Sequence, residues 1–136
     1  SEVNIDKAYL SESAKNFRDN ISKVISFLKE HNPQIVILLV PEFTNVYVPI
    51  TEFAKNEVDI DNPVAPAYQY INYDLLLKQE VMKDLSKQEN VVFAGIDFFA
   101  KYPAQKLLMD TVHLTPFGNK VLAENLAAVI RPLMTR

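Results

Sequence analysis

Cysteine is absent from the 136-residue chain, so neither a disulfide nor thiolate chemistry is open to it. Histidine occurs only twice, and two imidazoles without a thiolate argue against a structural zinc site. Glycine is as scarce, with two residues against eight prolines. Phosphate cradles of the P-loop and dinucleotide-binding kinds need several glycines close together, so both are excluded and no cofactor is implied. Positive charge is nowhere concentrated. Fourteen Lys and Arg are set against seventeen Asp and Glu, for a formal net charge of -3, and no basic stripe of the sort that binds nucleic acid occurs. The longest purely aliphatic stretch, Ile35–Val40, has six residues, far short of a membrane span. Ser1–Ile5 is polar and no apolar leader core follows it.

What remains is the profile of one globular domain over residues 1–136, half apolar and a quarter charged, and long enough to bury a core. Phe17, Ile21, Val24, Ile25 and Leu28 recur at three- and four-residue spacing and predict a helix over Ser11–Glu30. The stretch "HNP" at 31–33 ends it, because the residue before a proline is pushed out of helical geometry. His31 falls in the last turn, where a cation suits the helix dipole. Ile35–Val40 and Val91–Ile96 are apolar, β-branched runs, the pattern of strands buried on both faces of a parallel sheet. A second helix is expected over about Tyr68–Lys87. A last one begins near Pro116 with Thr115 as N-cap, turns Val121, Leu122, Leu126, Val129 and Ile130 inward, and stops at Pro132. Helix, strand, helix, strand, helix is α/β order with crossovers. Two apolar parallel strands need neighbours and helices on both faces, so the order reads as the second half of a doubly wound domain.

The chemistry concentrates in "DTVHLTPFG", residues 110–118. Asp110 and His113 lie in the loop before the final helix, and in open α/β sheets ligands gather beyond the carboxyl ends of the strands. A carboxylate one turn from an imidazole can hold its Nδ1–H, leaving Nε2 to take a proton from a hydroxyl nucleophile. D-x-x-H alone is a short signal, and a loop Asp capping a turn beside an exposed His is the plain alternative. The wider block "DTVHLTPFGNKVLAENL" resembles the C-terminal block of the SGNH (GDSL-type) hydrolase family, in which D-x-x-H-L-T/N-x-x-G opens the last helix. The resemblance implies that Asp110 is the orienting aspartate and His113 the histidine base. Leu114, Thr115, Gly118 and Ala123 match the surrounding pattern. Upstream, "FRDNISKVISFLKEHNPQIVILLVPE" and "YINYDLLLKQEVMKDLSKQENVVFAGIDFF" are similar to the family's preceding helix–strand pairs. By this resemblance the fold is the three-layer, parallel-sheet, flavodoxin-like SGNH architecture, represented by its C-terminal half.

The departures matter as much. No G-D-S motif, the family's nucleophile block, occurs in the chain. "SEVN" stands where the block with the oxyanion-hole asparagine would fall, which makes Asn4 that residue by position, although the block's glycine and aspartate are missing. Ser11, Ser13, Ser22, Ser26 and Ser86 are all expected on helices or at their starts, and Ser1 is terminal. None stands in a sharp strand-to-helix turn, the setting that exposes a nucleophilic serine. The expectation is therefore a serine esterase or acylhydrolase fragment that carries base and orienter without the attacking group. Its substrate would be a small-molecule ester or acyl compound. A complementing N-terminal half or a homodimer would cover its open sheet. The other class of function is an inactive SGNH-fold domain whose apolar loop binds a partner. Asp97 reads as a turn residue, and Tyr68, Tyr70 and Tyr73 as half-buried packing. The apolar stretch Glu42–Pro66 is too long for a plain connection and reads as a pocket wall or lid.

Overall fold

A computed structural model of the chain describes residues 7–42, 65–96, 101–109 and 113–134. In order these form α1 (Lys7–His31), β1 (Ile37–Leu39), α2 (Ala65–Leu85), β2 (Val91–Phe93), the single turn α3 (Ala104–Leu107) and α4 (Pro116–Met134). The fold is α/β. The two strands run parallel, with Ile37 opposite Val91, Leu38 opposite Val92 and Leu39 opposite Phe93. Parallel strands cannot be joined by a tight turn, and α2 lies in the connection between them.

One face of this sheet carries the core. Ile37 and Leu39 of β1 and Val91 of β2 are buried against Ile25 of α1 and Val81 and Leu85 of α2. Ala14, Phe17, Ile21, Leu28, Ile35 and Met82 pack around them. α1 and α2 thus cover the same face. Leu38 and Val92, which alternate to the opposite face, are only half-buried. Among the described residues the sheet is therefore not buried on both faces, as the apolar runs suggest. The ladder is also shorter than those runs: three residues pair on each strand instead of six, extended at its ends by bonds from the Ile37 amide to the Asn90 carbonyl (2.8 Å) and from the Ala94 amide to the Leu39 carbonyl (2.9 Å). Asn90 holds a left-handed φ of 59°, a conformation that asparagine tolerates better than branched residues. It turns the chain out of α2 and aims its carbonyl at β1.

α1 begins one turn earlier than the spacing predicts, at Lys7 rather than Ser11. Leu10 there is buried and falls at helical spacing on the side of Ala14, Phe17, Ile21, Ile25 and Leu28, which pack in the core. Val24, expected inward, is 52% exposed, since it falls about 60° from the axis of that stripe. The helix stops where "HNP" places its end. Asn32 donates its amide to the Leu28 carbonyl (2.9 Å), and its side-chain oxygen accepts the amide of Gln34 (3.1 Å). His31 donates Nδ1–H to the Phe27 carbonyl (2.8 Å), with the two rings 4.1 Å apart. This is a helix-end role. α2 is displaced from about 68–87 to Ala65–Leu85. α4 does not stop at Pro132 but runs through it to Met134. A proline there removes only the bond to the Ala128 carbonyl, and Ala128 is exposed, so water can replace it. On α4, Val121 is buried, Leu122, Leu126 and Val129 are half-buried, and Ile130 is exposed rather than inward.

A charged pair, backed by a local one, joins α1 to α2 at the rim of this core. Arg18 reaches Asp84 at 2.6 Å, and Lys87 reaches the other carboxylate oxygen at 2.9 Å. The hydrogen bond from Lys87, then that from Arg18, holds the Asp84 carboxyl below the usual carboxylate range. A lowered folded value contributes stability above the ordinary carboxylate range and loses it as pH falls through the folded value. Asp84→Asn is accordingly expected to be slightly less stable than wild type at pH 7. That difference should shrink below about pH 4, as measured by urea titrations at both pH values. A difference that persists in acid would show that packing, not charge, is lost.

Candidate functional site

The loop that carries His113 is built from its apolar base upward. Leu107, Leu108 and Leu114 are all buried, and Leu108 and Leu114 form an antiparallel bridge. Two further backbone bonds close the loop: the Met109 amide to the His113 carbonyl (2.8 Å) and the Thr115 amide to the Leu107 carbonyl (2.8 Å). Met109 and His113 are exposed. Burial of the three leucines brings 107–109 and 113–115 side by side in antiparallel pairing.

The loop leads directly into α4. Thr115 is the N-cap: its hydroxyl oxygen accepts the Gly118 amide (2.9 Å), while the hydroxyl itself donates to the Lys106 carbonyl. Its backbone carbonyl takes the Asn119 amide (2.9 Å), the first bond of the helix, and Pro116 occupies the first helical position, where no amide donor is needed. Gly118 allows the close approach. A Cβ built on it would lie 2.1 Å from the Leu107 carbonyl oxygen and 3.1 Å from Leu114 Cδ2. Only a residue without a side chain lets α4 seat against α3. Beside it, Tyr102 and Phe117 meet edge to face at 5.2 Å.

His113 is therefore an accessible imidazole on a loop closed at both sides, immediately ahead of a capped helix. Asp110, the other member of the expected pair, lies outside the described residues, as do Asn4, Asp97 and 43–64. The described residues on either side of the intervening segment, Met109 and His113, are joined by the 2.8 Å bond. Tyr68, Tyr70 and Tyr73 fall on α2. The serines take structural places. Ser11, Ser13, Ser22 and Ser26 are on α1, with Ser13 donating to Asp74 Oδ1 (3.0 Å). Ser86, just past the end of α2, donates to the Lys83 carbonyl (2.6 Å). Among the described residues, no serine stands in a turn that leads from a strand into a helix, and no group of three His, Asp or Glu is placed to hold a metal ion.

A concavity elsewhere was not signalled by any motif. Just past β1, Val40, Pro41 and Glu42 form one side of a cleft of about 100 Å³ whose opposite side is α2. Gln79 lines it and is 3% exposed, the one buried polar side chain among the described residues. The only trace in sequence is that Gln79 interrupts the apolar series Leu75, Gln79, Met82 on α2.

The chain matches no protein-family model, no curated protein and no solved structure.

Proposed function

We propose that this chain is the C-terminal part of an SGNH-type hydrolase that cleaves carboxylic esters or thioesters. His113 is the general base and Asp110 the group that orients it. The observation that supports the reading is the loop itself. An exposed His113, whose carbonyl accepts the Met109 amide, stands within a D-x-x-H-L-T-x-x-G block whose threonine caps a helix and whose glycine seats it. In this reading a serine hydroxyl outside this chain gives its proton to His113 Nε2 and attacks the acyl carbonyl. The protonated imidazole then protonates the leaving alkoxide, and water releases the acid from the acyl-serine by the same base. Asp110 holds Nδ1–H and stabilises the imidazolium. Asn4 is the candidate oxyanion donor by its place in the sequence. The two-stranded sheet extends into the three-layer SGNH sheet when strands of a complementing N-terminal half, or of a second copy, pair with its edges.

The test is ester turnover on a short-chain chromogenic ester. This chain alone is expected to give none above background. Produced together with the polypeptide encoded immediately upstream, it should give turnover and covalent labelling of a serine in that polypeptide by a fluorophosphonate. Turnover by the isolated chain would place the nucleophile within these 136 residues. Silence of the combined protein, with a folded complex, would favour an inactive binding domain instead.

A further inference from the structure

We infer that the outer face of α4 is a docking surface for a second copy of this chain, whose own α4 lies on it antiparallel about a two-fold axis. This inference does not depend on the hydrolase reading, and the surface is separate from the sheet edges. α4 is long for what it buries. Among the described residues, only Gly118 and Val121 of its 19 are buried, both near its start. Leu126, Ala127 and Leu133 are half-buried. Ala123, Ile130 and Met134 are exposed, the last two by 39% and 78%. Helices in proteins are held chiefly by packing of an apolar face, and an apolar strip left outward is characteristic of an interaction site.

The strip has a fixed period. Ala123, Ala127, Ile130 and Met134 follow one another at steps of four, three and four residues, the a/d seam of paired helices. Small and large residues divide along it, with the two alanines toward the N-terminal end. Run antiparallel about an axis between 128 and 129, the seam sets Ala123 against Met134 and Ala127 against Ile130 of the second copy. Each large side chain then meets a small one, the condition for filling a shared core. Run parallel, alanine would face alanine and leave the seam hollow.

The flanks of the seam choose the same arrangement. On one side the axis brings Leu126 of one copy to Leu133 of the other. On the opposite side it brings Glu124 to Arg131, and both of these are exposed. Lys120, the neighbour of Glu124 one turn back, lies 3.9 Å from it and holds it loosely. A parallel pair would set Glu124 beside Asn119 and Arg131 beside Leu126 instead. The two-fold makes the acid–base contact twice, since a self-complementary patch repeats each of its contacts. Small matches large and acid matches base within a single helix, which is why the occupant is a second copy rather than a different chain.

The test is sedimentation equilibrium of the full chain at low salt, from about 10 µM to about 1 mM. A helix pair of this length buries under about 1,000 Å², the range of weak association, so a monomer–dimer equilibrium with a dissociation constant near about 0.1 mM is expected. Arg131→Glu sets acid against acid twice and should weaken the dimer about tenfold, and adding Glu124→Arg to it should restore the affinity. Both positions are exposed, so neither change should unfold the monomer, which circular dichroism checks. The chain has no cysteine, so introduced thiols report the contact directly. A mixture of Ala127→Cys and Ile130→Cys chains should oxidise in air to a mixed disulfide, whereas Ala128→Cys, on the far side of α4, should not cross-link. A monomer at the highest concentration, a dimer indifferent to Arg131→Glu, a loss that the double exchange fails to reverse, or cross-linking through Ala128→Cys in preference to the mixed pair would overturn the inference.

Discussion

Gly118→Ala is expected to destabilise the chain by about 3 kcal/mol or more, read as a lower urea midpoint and a lower melting temperature. The added Cβ would stand 2.1 Å from the Leu107 carbonyl oxygen and 3.0 Å from its carbon. Neither is the end of a flexible side chain that can swing aside. The same oxygen accepts the Thr115 amide, so moving it away loosens the bond that closes the loop at its base. Retreat of α4 would also pull Leu114 and Val121, both buried, out of contact. Alanine otherwise favours a helix over glycine by about 1 kcal/mol. A neutral or stabilised variant would therefore mean that α4 does not seat against α3. Amide exchange should show protection lost first over 107–121, with the α1–α2 core retained longer, because Ile25, Val81 and Val91 do not touch this seam.

The second large effect is on chemistry. In the complemented hydrolase, His113→Ala should lower kcat by about 10⁴-fold or more, since removing the base disables both the attack and the protonation of the leaving group. Asp110→Asn should cost about 10⁴-fold as well, by presenting the wrong tautomer. The two losses should not add, because the residues act as one unit. His113 is exposed, so His113→Ala should cost the fold much less than Gly118→Ala does. That separates it from Gly118→Ala, which acts through the fold. A His113→Ala enzyme with ordinary turnover would remove the base from the proposal. A His113→Ala chain that fails to fold would give the imidazole a packing role in the loop instead.

These two residues sit five apart and were legible to different degrees. His113 is conspicuous as a rare residue type in a polar loop, and Thr115 and Pro116 announce a helix start through chemistry that is local: a hydroxyl to accept a first-turn amide, and a ring that needs no donor. Gly118 can be matched to a pattern, yet its reason is not local. It depends on a carbonyl eleven residues back, brought underneath it when Leu107, Leu108 and Leu114 are buried together. The loop closure between Met109 and His113 is decided by the same burial.

The elements divide along the same line. Side-chain periodicity determines that a helix covers 11–30, that apolar runs at 35–40 and 91–96 supply strands, and that α/β order follows, because these depend on neighbours three or four residues away or on unbroken β-branched sequence. How much of each run pairs is a property of two strands at once, and the register Ile37–Val91 to Leu39–Phe93 leaves only three residues of each in the ladder. Leu10 extends α1 because α1 packs against the rest of the chain, and Val24 faces outward because the packed stripe passes beside it. Pro132 stays within the helix where Ala128, one turn back, is exposed. The cleft at Lys78 and Gln79 belongs wholly to the assembled structure. Phe17, Glu42 and Gln79 are 25 and 37 positions apart along the chain, and only the packing of α1 and α2 around the end of β1 makes them walls of one hollow.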